Sequence, residues 1–410
     1  MPGPGYYLFG EEERKEVLEV LDSRQLSRYR FDQTEQDSPS KVYLFERTME
    51  AFLDVRHGLA MNSCTCALLA GLSALGIGPG DEVIVPGYTF IASIAAIAYA
   101  RAVPVLAEID ESLTLCPEDV RRRITPATKA IMAVHMLGAP CDMDALRSIA
   151  KEHRLWLIED AAQACGGSYR GKRLGSIGDV GAFSLNVFKT ISAGDGGLLV
   201  TNDSSVYERA FAFHDHGFKP FRLAVADADS LLGLNLRMHE LTGALALAQS
   251  RKLPAILDTL RRKKALFAEA LGDVPRCSRR RLNDPEGDCA TLMVLIFDDA
   301  ATSRRVSERL GTRTLLDSGR HYYGAMAPLL NKRMPKAEGC PFECTRYPTA
   351  QRYEPHMLTR TDDLLARSMA LSIGVVDSYL GSACGIDILT EDDEIPDVAA
   401  AIRERILEVS

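Results

Sequence analysis

The sequence predicts an α/β fold in which a mainly parallel β-sheet is covered by helices on both faces, with a smaller C-terminal α+β domain attached. Three observations carry this. Short apolar segments alternate with longer helical ones over the first part of the chain. Those apolar segments are continuous runs with no polar alternation, as expected of strands buried on both faces. From about Leu253 the texture changes to long amphipathic helices and isolated short strands. A length of 410 residues suits one large and one small domain. The expected division is an N-terminal segment 1–30, a large domain 31–250 and a small domain 251–410.

Taken in order, residues 10–23 (GEEERKEVLEVLDS) have helical spacing with acids in the first turn, where they complement the helix dipole. A second amphipathic helix covers 41–53. The strand candidates follow: EVIVP (82–86), 103–109, AIMAVH (130–135), LWLIE (155–159), VGAFSL (180–185) and GLLVT (197–201). Helical stretches 92–99, 118–124 and 142–153 separate the first four. Beyond them come an amphipathic helix at 256–271 (ILDTLRRKKALFAEAL), a strand within 291–297 and a closing helix at 395–409. There is no internal repeat and no low-complexity tract.

Composition narrows the function. The net charge of −8 argues against a nucleic-acid binder, which carries a basic face. The basic runs 261–264 and 279–281 read as solvated surface. The N-terminus lacks a signal-peptide pattern. The longest apolar run, 90–100, is broken by Ser93 and falls short of the ~20 residues of a membrane span. A cytoplasmic protein that contacts neither membrane nor nucleic acid is expected. Its ten cysteines then read as reduced, mostly buried thiols. Cys340, Cys344 and His356 offer three soft ligands, but no fourth stands at a finger-like spacing. A loop with free thiols is the favoured reading and no metal is expected.

Ligands of doubly wound sheets sit at the carboxyl ends of strands, and several polar residues fall there. Asp160 follows WLIE; taken alone, a capping role explains it. Lys189 follows the next apolar strand and a turn, which suggests that the two opposite charges share one site. Ser63-Cys64-Thr65-Cys66 opens a helical run, leaving N–H groups and the helix dipole free for an anion, although simple capping also accounts for it. GIGPGD (76–81) and GDGG (194–197) precede strands, so neither is a dinucleotide fingerprint. The chain has no GxxxxGK[ST] phosphate loop and no GxSxG elbow. An anion pocket, a strand-end aspartate and a strand-end lysine together suit pyridoxal phosphate, which needs a phosphate cradle, a carboxylate for its pyridinium and a lysine for its aldehyde. Desolvation lowers a lysine's pKa and makes its amine nucleophilic.

The blocks NSCTCALLAGLSALGIGPGDEVIVPGYTF, ITPATKAIMAVHMLGAP, LIEDAAQACGG, GDVGAFS, FKTISAGDGG and NLRMHELTGALALAQ resemble the DegT/StrS-type sugar aminotransferases, pyridoxal-phosphate enzymes of fold type I with a sheet of the seven-stranded type. The resemblance runs over most of the chain and implies roles residue by residue. Lys189 stands where the family's Schiff-base lysine stands, and Asp160 where an aspartate pairs with the pyridine nitrogen. Gln163 should approach the ring's phenolic oxygen and Phe90 stack on its face. Ser184, Thr65 and the amide of Cys66 should hold the phosphate. Asn235 matches an asparagine that reaches the phosphate of a neighbouring subunit, which implies a homodimer with shared sites. The family usually shows Ser-Gly-Thr-Ala where this chain has Ser63-Cys64-Thr65-Cys66, so the cradle is expected to be altered at Cys64. The family's Gly-Glu-Gly-Gly is here Gly194-Asp195-Gly196-Gly197.

The segments DSGRHYYGAMAPL and RTDDLLARSMALSIGV resemble the branch that makes 8-amino-3,8-dideoxy-octulosonate, which suggests Arg320 and His321 as substrate contacts; a surface Arg and a loop His are the plain alternative. The implied reaction is ping-pong transfer from glutamate or glutamine to a keto- or aldehydo-sugar or a cyclitol ketone, with pyridoxamine phosphate as the intermediate cofactor form, in amino-sugar or antibiotic biosynthesis. Competing readings are another pyridoxal-phosphate reaction (lyase, decarboxylase or dehydratase) and a non-enzymatic regulator. Some family members that dehydrate carry histidine in place of the lysine, and Lys189 is intact. A regulator would need a DNA-binding module, for which the chain has neither a spare segment nor the charge.

Overall fold

A computed structural model describes residues 2–29, 40–220, 231–335 and 339–409. The expected boundary at 30/31 lies outside the described residues. Two N-terminal helices, α1 (Pro4–Tyr7) and α2 (Glu11–Ser23), precede α3 (Lys41–Leu53). The chain then builds the main α/β unit: β1 (His57–Met61), α4 (Cys64–Ala74), β2 (Glu82–Pro86), α5 (Ile91–Tyr99), β3 (Val103–Ala107), α6 (Pro117–Arg123), β4 (Thr128–Val134), α7 (Met143–His153) and β5 (Trp156–Asp160). A small ribbon of β6 (Ser168–Tyr169) and β7 (Lys172–Arg173) leads into β8 (Val180–Ser184), β9 (Gly197–Thr201) and α8 (Ser204–His214).

Seven strands form one sheet in the order β1-β9-β8-β5-β4-β2-β3. The pairs β8–β5, β5–β4, β4–β2 and β2–β3 are parallel, whereas β9 runs antiparallel to β8 and β1. The expected mainly parallel, doubly covered sheet is what forms. Successive residues of a strand point to opposite faces, and here both directions are buried. Ile84 packs with Phe45, Leu146 and Leu253 on one side, and Val83 and Val85 pack with Leu68, Ile97 and Phe211 on the other. This two-sided burial is why the strands read as unbroken apolar runs.

The registers pair Asp160 with Ala182, Ser184 with Gly197 and Gly197 with Met61. The carboxyl ends of β5, β8 and β1 and the start of β9 therefore share one edge of the sheet. Strand β1 (HGLAM) was not foreseen. It is a short edge strand with His57 and Gly58 at its start, so the sequence carries only a brief apolar signal there.

Helix α9 spans Glu240–Leu271 without interruption, running through the expected division at 250 and beginning well before the 256 that the sequence suggests. Pro254 lies inside it. An interior proline costs about 3 kcal/mol through a lost hydrogen bond and a clash one turn earlier. Burial of Leu247 and Leu253 before or beside it, and of Leu257 and Leu260 after it, offsets that cost. Beyond α9, the antiparallel sheet of β10 (Cys277–Arg279), β11 (Leu292–Phe297) and β12 (Ser368–Ser372) carries α10 (Ala300–Arg309), α11 (Leu315–Ser318), α12 (Ala327–Leu330), α13 (Thr359–Arg367) and α14 (Ile395–Leu407).

One cysteine reading is corrected. Cys340 and Cys344 form a disulfide instead of remaining free thiols, because the Gly339–Glu343 bridge folds the chain back and brings their Cα atoms to 4.4 Å. They are thus unavailable as thiolate ligands beside His356. The other eight cysteines are free. Among the described residues no helix is long and apolar enough to cross a membrane.

His214, at the end of α8, is fully buried. Its Nδ1 faces the Phe211 carbonyl at 2.6 Å and must donate to it, so Nε2 accepts from the Tyr29 hydroxyl at 3.2 Å. Desolvation pushes the ring's pKa down to about 4. A depressed folded-state pKa means that the unfolded chain takes up the proton first. Stability associated with this group is therefore complete above about pH 6.5 and is lost as pH falls toward 4, by about 3 kcal/mol. Urea unfolding measured across that range is expected to show the loss, with a shallower slope in His214→Gln.

Candidate active site

A cavity of about 300 Å³ opens where the sheet edge meets the loops of the C-terminal half. Its floor begins with α4. Ser63 caps this helix, and its Oγ accepts the Cys66 N–H at 3.2 Å. The first N–H groups of a helix have no intrahelical acceptor, so those of Cys64 and Thr65 remain available to an anion at the positive end of the dipole. Gly197 lies so close that a Cβ there would stand 2.3 Å from the Ser63 carbonyl carbon. Only glycine lets β9 press against this helix start, and Ser184 at the end of β8 completes the cradle. Cys64 occupies the first turn of α4 in ordinary helical conformation, so the cysteine needs no special backbone. Its thiol lines the cavity, and burial pushes its pKa well above the ordinary value.

Asp160 ends β5 facing the cavity. Its Oδ2 accepts from Ser93 Oγ at 2.7 Å and its Oδ1 from the Ala162 N–H at 3.1 Å. Ser93 is itself linked to Thr89 at 2.7 Å. No helix follows Asp160, so simple helix capping does not account for it. Neighbouring Glu159 points the other way, accepting from the N–H groups of Gly175, Ile177 and Gly178, which braces the strand end. Gln163 gives its side-chain oxygen to the Leu137 N–H at 2.9 Å, leaving its NH2 to donate. Phe90 lines the wall at the start of α5.

Lys189 sits on the loop between β8 and β9. Hydrogen bonds from Val187 N to Gly194 O, from Ala193 N to Leu185 O and from Asn186 Nδ2 to Asp195 close this loop. The residue is half-buried and faces the cavity. Desolvation lowers its pKa, against the opposite pull of Cys64, Asp160 and Asp377.

The roof comes from the far end of the chain. Backbone hydrogen bonds from Thr89 N to His321 O (3.0 Å) and from Tyr323 N to Gly87 O (3.0 Å) dock residues 321–323 on the loop after β2. This places Arg320 and His321 over the cavity. Desolvation and then the Lys189 and Arg320 charges push the His321 pKa down to about 3, so the ring is neutral at ordinary pH. Its Nδ1 is buried without a hydrogen-bond partner among the described residues. Arg320 lies over the Tyr379 ring at 3.8 Å. Asp377, whose Oδ1 accepts the Tyr379 N–H at 2.9 Å, brings a third polar group that the sequence reading missed. Its only signal was an acid directly after the apolar run that follows β12.

Eight expected residues thus share one cavity: Thr65, Phe90, Asp160, Gln163, Ser184, Lys189, Arg320 and His321. Cys66 does not line it, and its N–H is committed to Ser63. Asn235 is exposed in a separate groove with Ser27, Arg28, Asn62 and Arg237, held there by a bridge to Asp215. The cavity residues fit pyridoxal phosphate: a glycine-backed helix start and a serine for the phosphate, a buried carboxylate for the ring nitrogen, and a desolvated amine for the aldehyde.

The family model described as the DegT/DnrJ/EryC1/StrS aminotransferase family matches residues 8–373. A GDP-perosamine synthase of Vibrio cholerae is 39% identical over 232 residues, which is 56% of this chain and 62% of that protein. The spore coat polysaccharide biosynthesis protein SpsC of Bacillus subtilis is 33% identical over 311 residues, covering 74% of this chain and 77% of SpsC. The alignment with the first of these thus spans less than two thirds of that relative's length. Among solved structures, the aminotransferase from Psychrobacter cryohalolentis superposes with a TM-score of 0.77 at 27% identity, covering 100% of this chain and 99% of that one.

Proposed function

We propose, for a chain that belongs to the DegT/DnrJ/EryC1/StrS aminotransferase family, a pyridoxal-phosphate-dependent transfer of an amino group from glutamate or glutamine to a keto- or aldehydo-sugar or a cyclitol ketone. The observation that carries this is Lys189 and Asp160 facing one cavity beside the N-terminus of α4, whose open N–H groups support phosphate binding there. When bound, the cofactor supplies an aldehyde to take up the amine and a ring to accept electrons.

The chain's own residues do the rest. Asp160, held by Ser93 and Ala162, would face the ring nitrogen and pair with its proton. Gln163 NH2 and Phe90 set the ring's tilt. Thr65, Ser184 and the open N–H groups of α4 anchor the phosphate. Lys189 Nζ would hold the cofactor through its aldehyde carbon and, when free, would act as the base that takes the proton from the donor's α-carbon. Arg320 offers a cation for the donor's carboxylate, while His321 Nδ1 and Asp377 offer acceptors for hydroxyls of the acceptor. The resemblance to the octulosonate branch supports a sugar acid among the acceptors. Asn235, exposed and outside this cavity, supports a homodimer in which each chain completes the other's site. A cytoplasmic setting fits this chemistry.

The test is a half-reaction. Protein loaded with pyridoxamine phosphate is expected to regain the visible absorbance of the aldehyde form only when a suitable keto-sugar is added, and to lose it again with glutamate or glutamine. Steady-state rates are expected to show parallel ping-pong lines. Turnover of a single substrate with no amino-donor dependence would instead indicate a lyase or dehydratase.

A further inference from the structure

The segment from Gly3 to Leu8 lies beneath the loop that carries Lys189. Gly3 N–H donates to the Val187 carbonyl at 2.8 Å. A Cβ on Gly3 would stand 2.5 Å from the Phe188 oxygen and 2.6 Å from the Lys189 oxygen. A Cβ on Gly5 would stand 2.7 Å from Ile191 Cα and 2.8 Å from Ser192 N. Gly3 has φ −83°, which any residue adopts, so close approach is what requires glycine at this position.

The segment is held from behind. Gln249 of α9 accepts the Ser192 N–H at 3.3 Å and donates to Glu13 of α2 at 2.8 Å. Glu13 also accepts from Gly10 N–H at 2.8 Å, and Lys252 bonds both Glu13 and the Leu8 carbonyl. On its other side Pro4 abuts Gly374, whose own Cβ would come within 3.0 Å of the proline ring. The chain from Gly374 leads on to Asp377. Backbone of α1 thus touches the Lys189 loop directly, while α2 and α9 lock α1 in place.

We propose that residues 3–8, backed by Gln249, form a strut that fixes the height and orientation of Lys189 in the cavity, with Gly3 and Gly5 as positioning residues. The inference rests on the catalytic reading of Lys189. A 1 Å misplacement of a reacting group can cost about 10²-fold in rate, so a strut in backbone contact with the lysine's own loop bears on catalysis as well as on stability.

The test compares Gly3→Ala with Gly10→Ala, since a Cβ on Gly10 meets nothing within 4 Å. Two readouts are taken on the full chain: amide hydrogen exchange over 187–193 without cofactor, and the pH midpoint of the visible absorbance with pyridoxal phosphate bound. Gly3→Ala is expected to speed exchange across 187–193, to shift the absorbance midpoint, and to lower kcat by about 10- to 100-fold with the amino-donor KM little changed. Gly10→Ala should match the unmodified protein. A folded Gly3→Ala with unmodified exchange and midpoint overturns the proposal, as does a lower melting temperature with no change in either readout. Should Gly3→Ala not fold, Gln249→Leu removes the acceptor behind the loop and is judged by the same two readouts. A failure of the Lys189 reading would appear separately, as the absence of visible absorbance in the unmodified protein.

Discussion

Lys189→Ala is expected to reduce amino transfer by about 10⁴-fold, because in the proposed reading it removes both the covalent attachment point and the base that moves the α-proton. The protein should remain folded, because the side chain faces a cavity and makes no ion pair among the described residues. A small primary amine added to the medium should restore part of the activity by taking over the proton transfer, and nothing of the covalent anchorage. Activity near that of the unmodified protein would overturn the assignment. The pH dependence has a definite sign. Desolvation lowers the Lys189 pKa, so the amine loses its proton at lower pH than an exposed lysine does. Reaction with added pyridoxal phosphate, which needs the free amine, should therefore be lost as pH falls through that lowered value and persist above it, while surface lysines remain protonated.

Asp160→Asn is expected to lower kcat by about 10²- to 10³-fold, the cost of removing one oriented group that stabilises developing charge. The substitution keeps the shape and an oxygen acceptor while removing the carboxylate proposed to pair with the ring nitrogen. Ser93 and the Ala162 N–H are directed at this carboxylate at 2.7 and 3.1 Å, so the amide should sit in the same place. Cofactor binding through the phosphate cradle should survive, giving a loaded but slow protein whose absorbance spectrum is altered. A loss of cofactor with unchanged kcat on reconstitution would assign Asp160 to binding alone.

The placement of both residues on one cavity was legible in the sequence, for a physical reason. Each follows a continuous apolar run, and in a sheet buried on both faces a polar residue just after such a run lies at an end of the sheet. The capping pattern at Ser63 was legible for a similar reason, since a small hydroxyl residue before a helical run is a local signal. The long helix α9 was read short at its start, because an interior proline is a local signal for a helix boundary and tertiary burial overrode it. Cys66 shows another limit. Its N–H was expected to meet the phosphate, but the hydroxyl of Ser63, three residues earlier, takes it.

By itself the sequence determined the alternation of strand and helix, the two-sided burial of the sheet, and the positions of Lys189, Asp160 and the Ser63-capped helix start at its edge. All of these are written in the order of residues along single segments. Only the tertiary structure decided that β1 closes the sheet against β9, that Arg320, His321 and Asp377 roof the cavity, and that Gly3 supports the loop of Lys189. These depend on contacts between segments far apart in the chain. Several are made by backbone N–H and C=O groups, as between Thr89 and His321 or Gly3 and Val187. Every residue but proline carries both of those groups, so no side-chain pattern announces the pairing, and it appears only when the chain has folded.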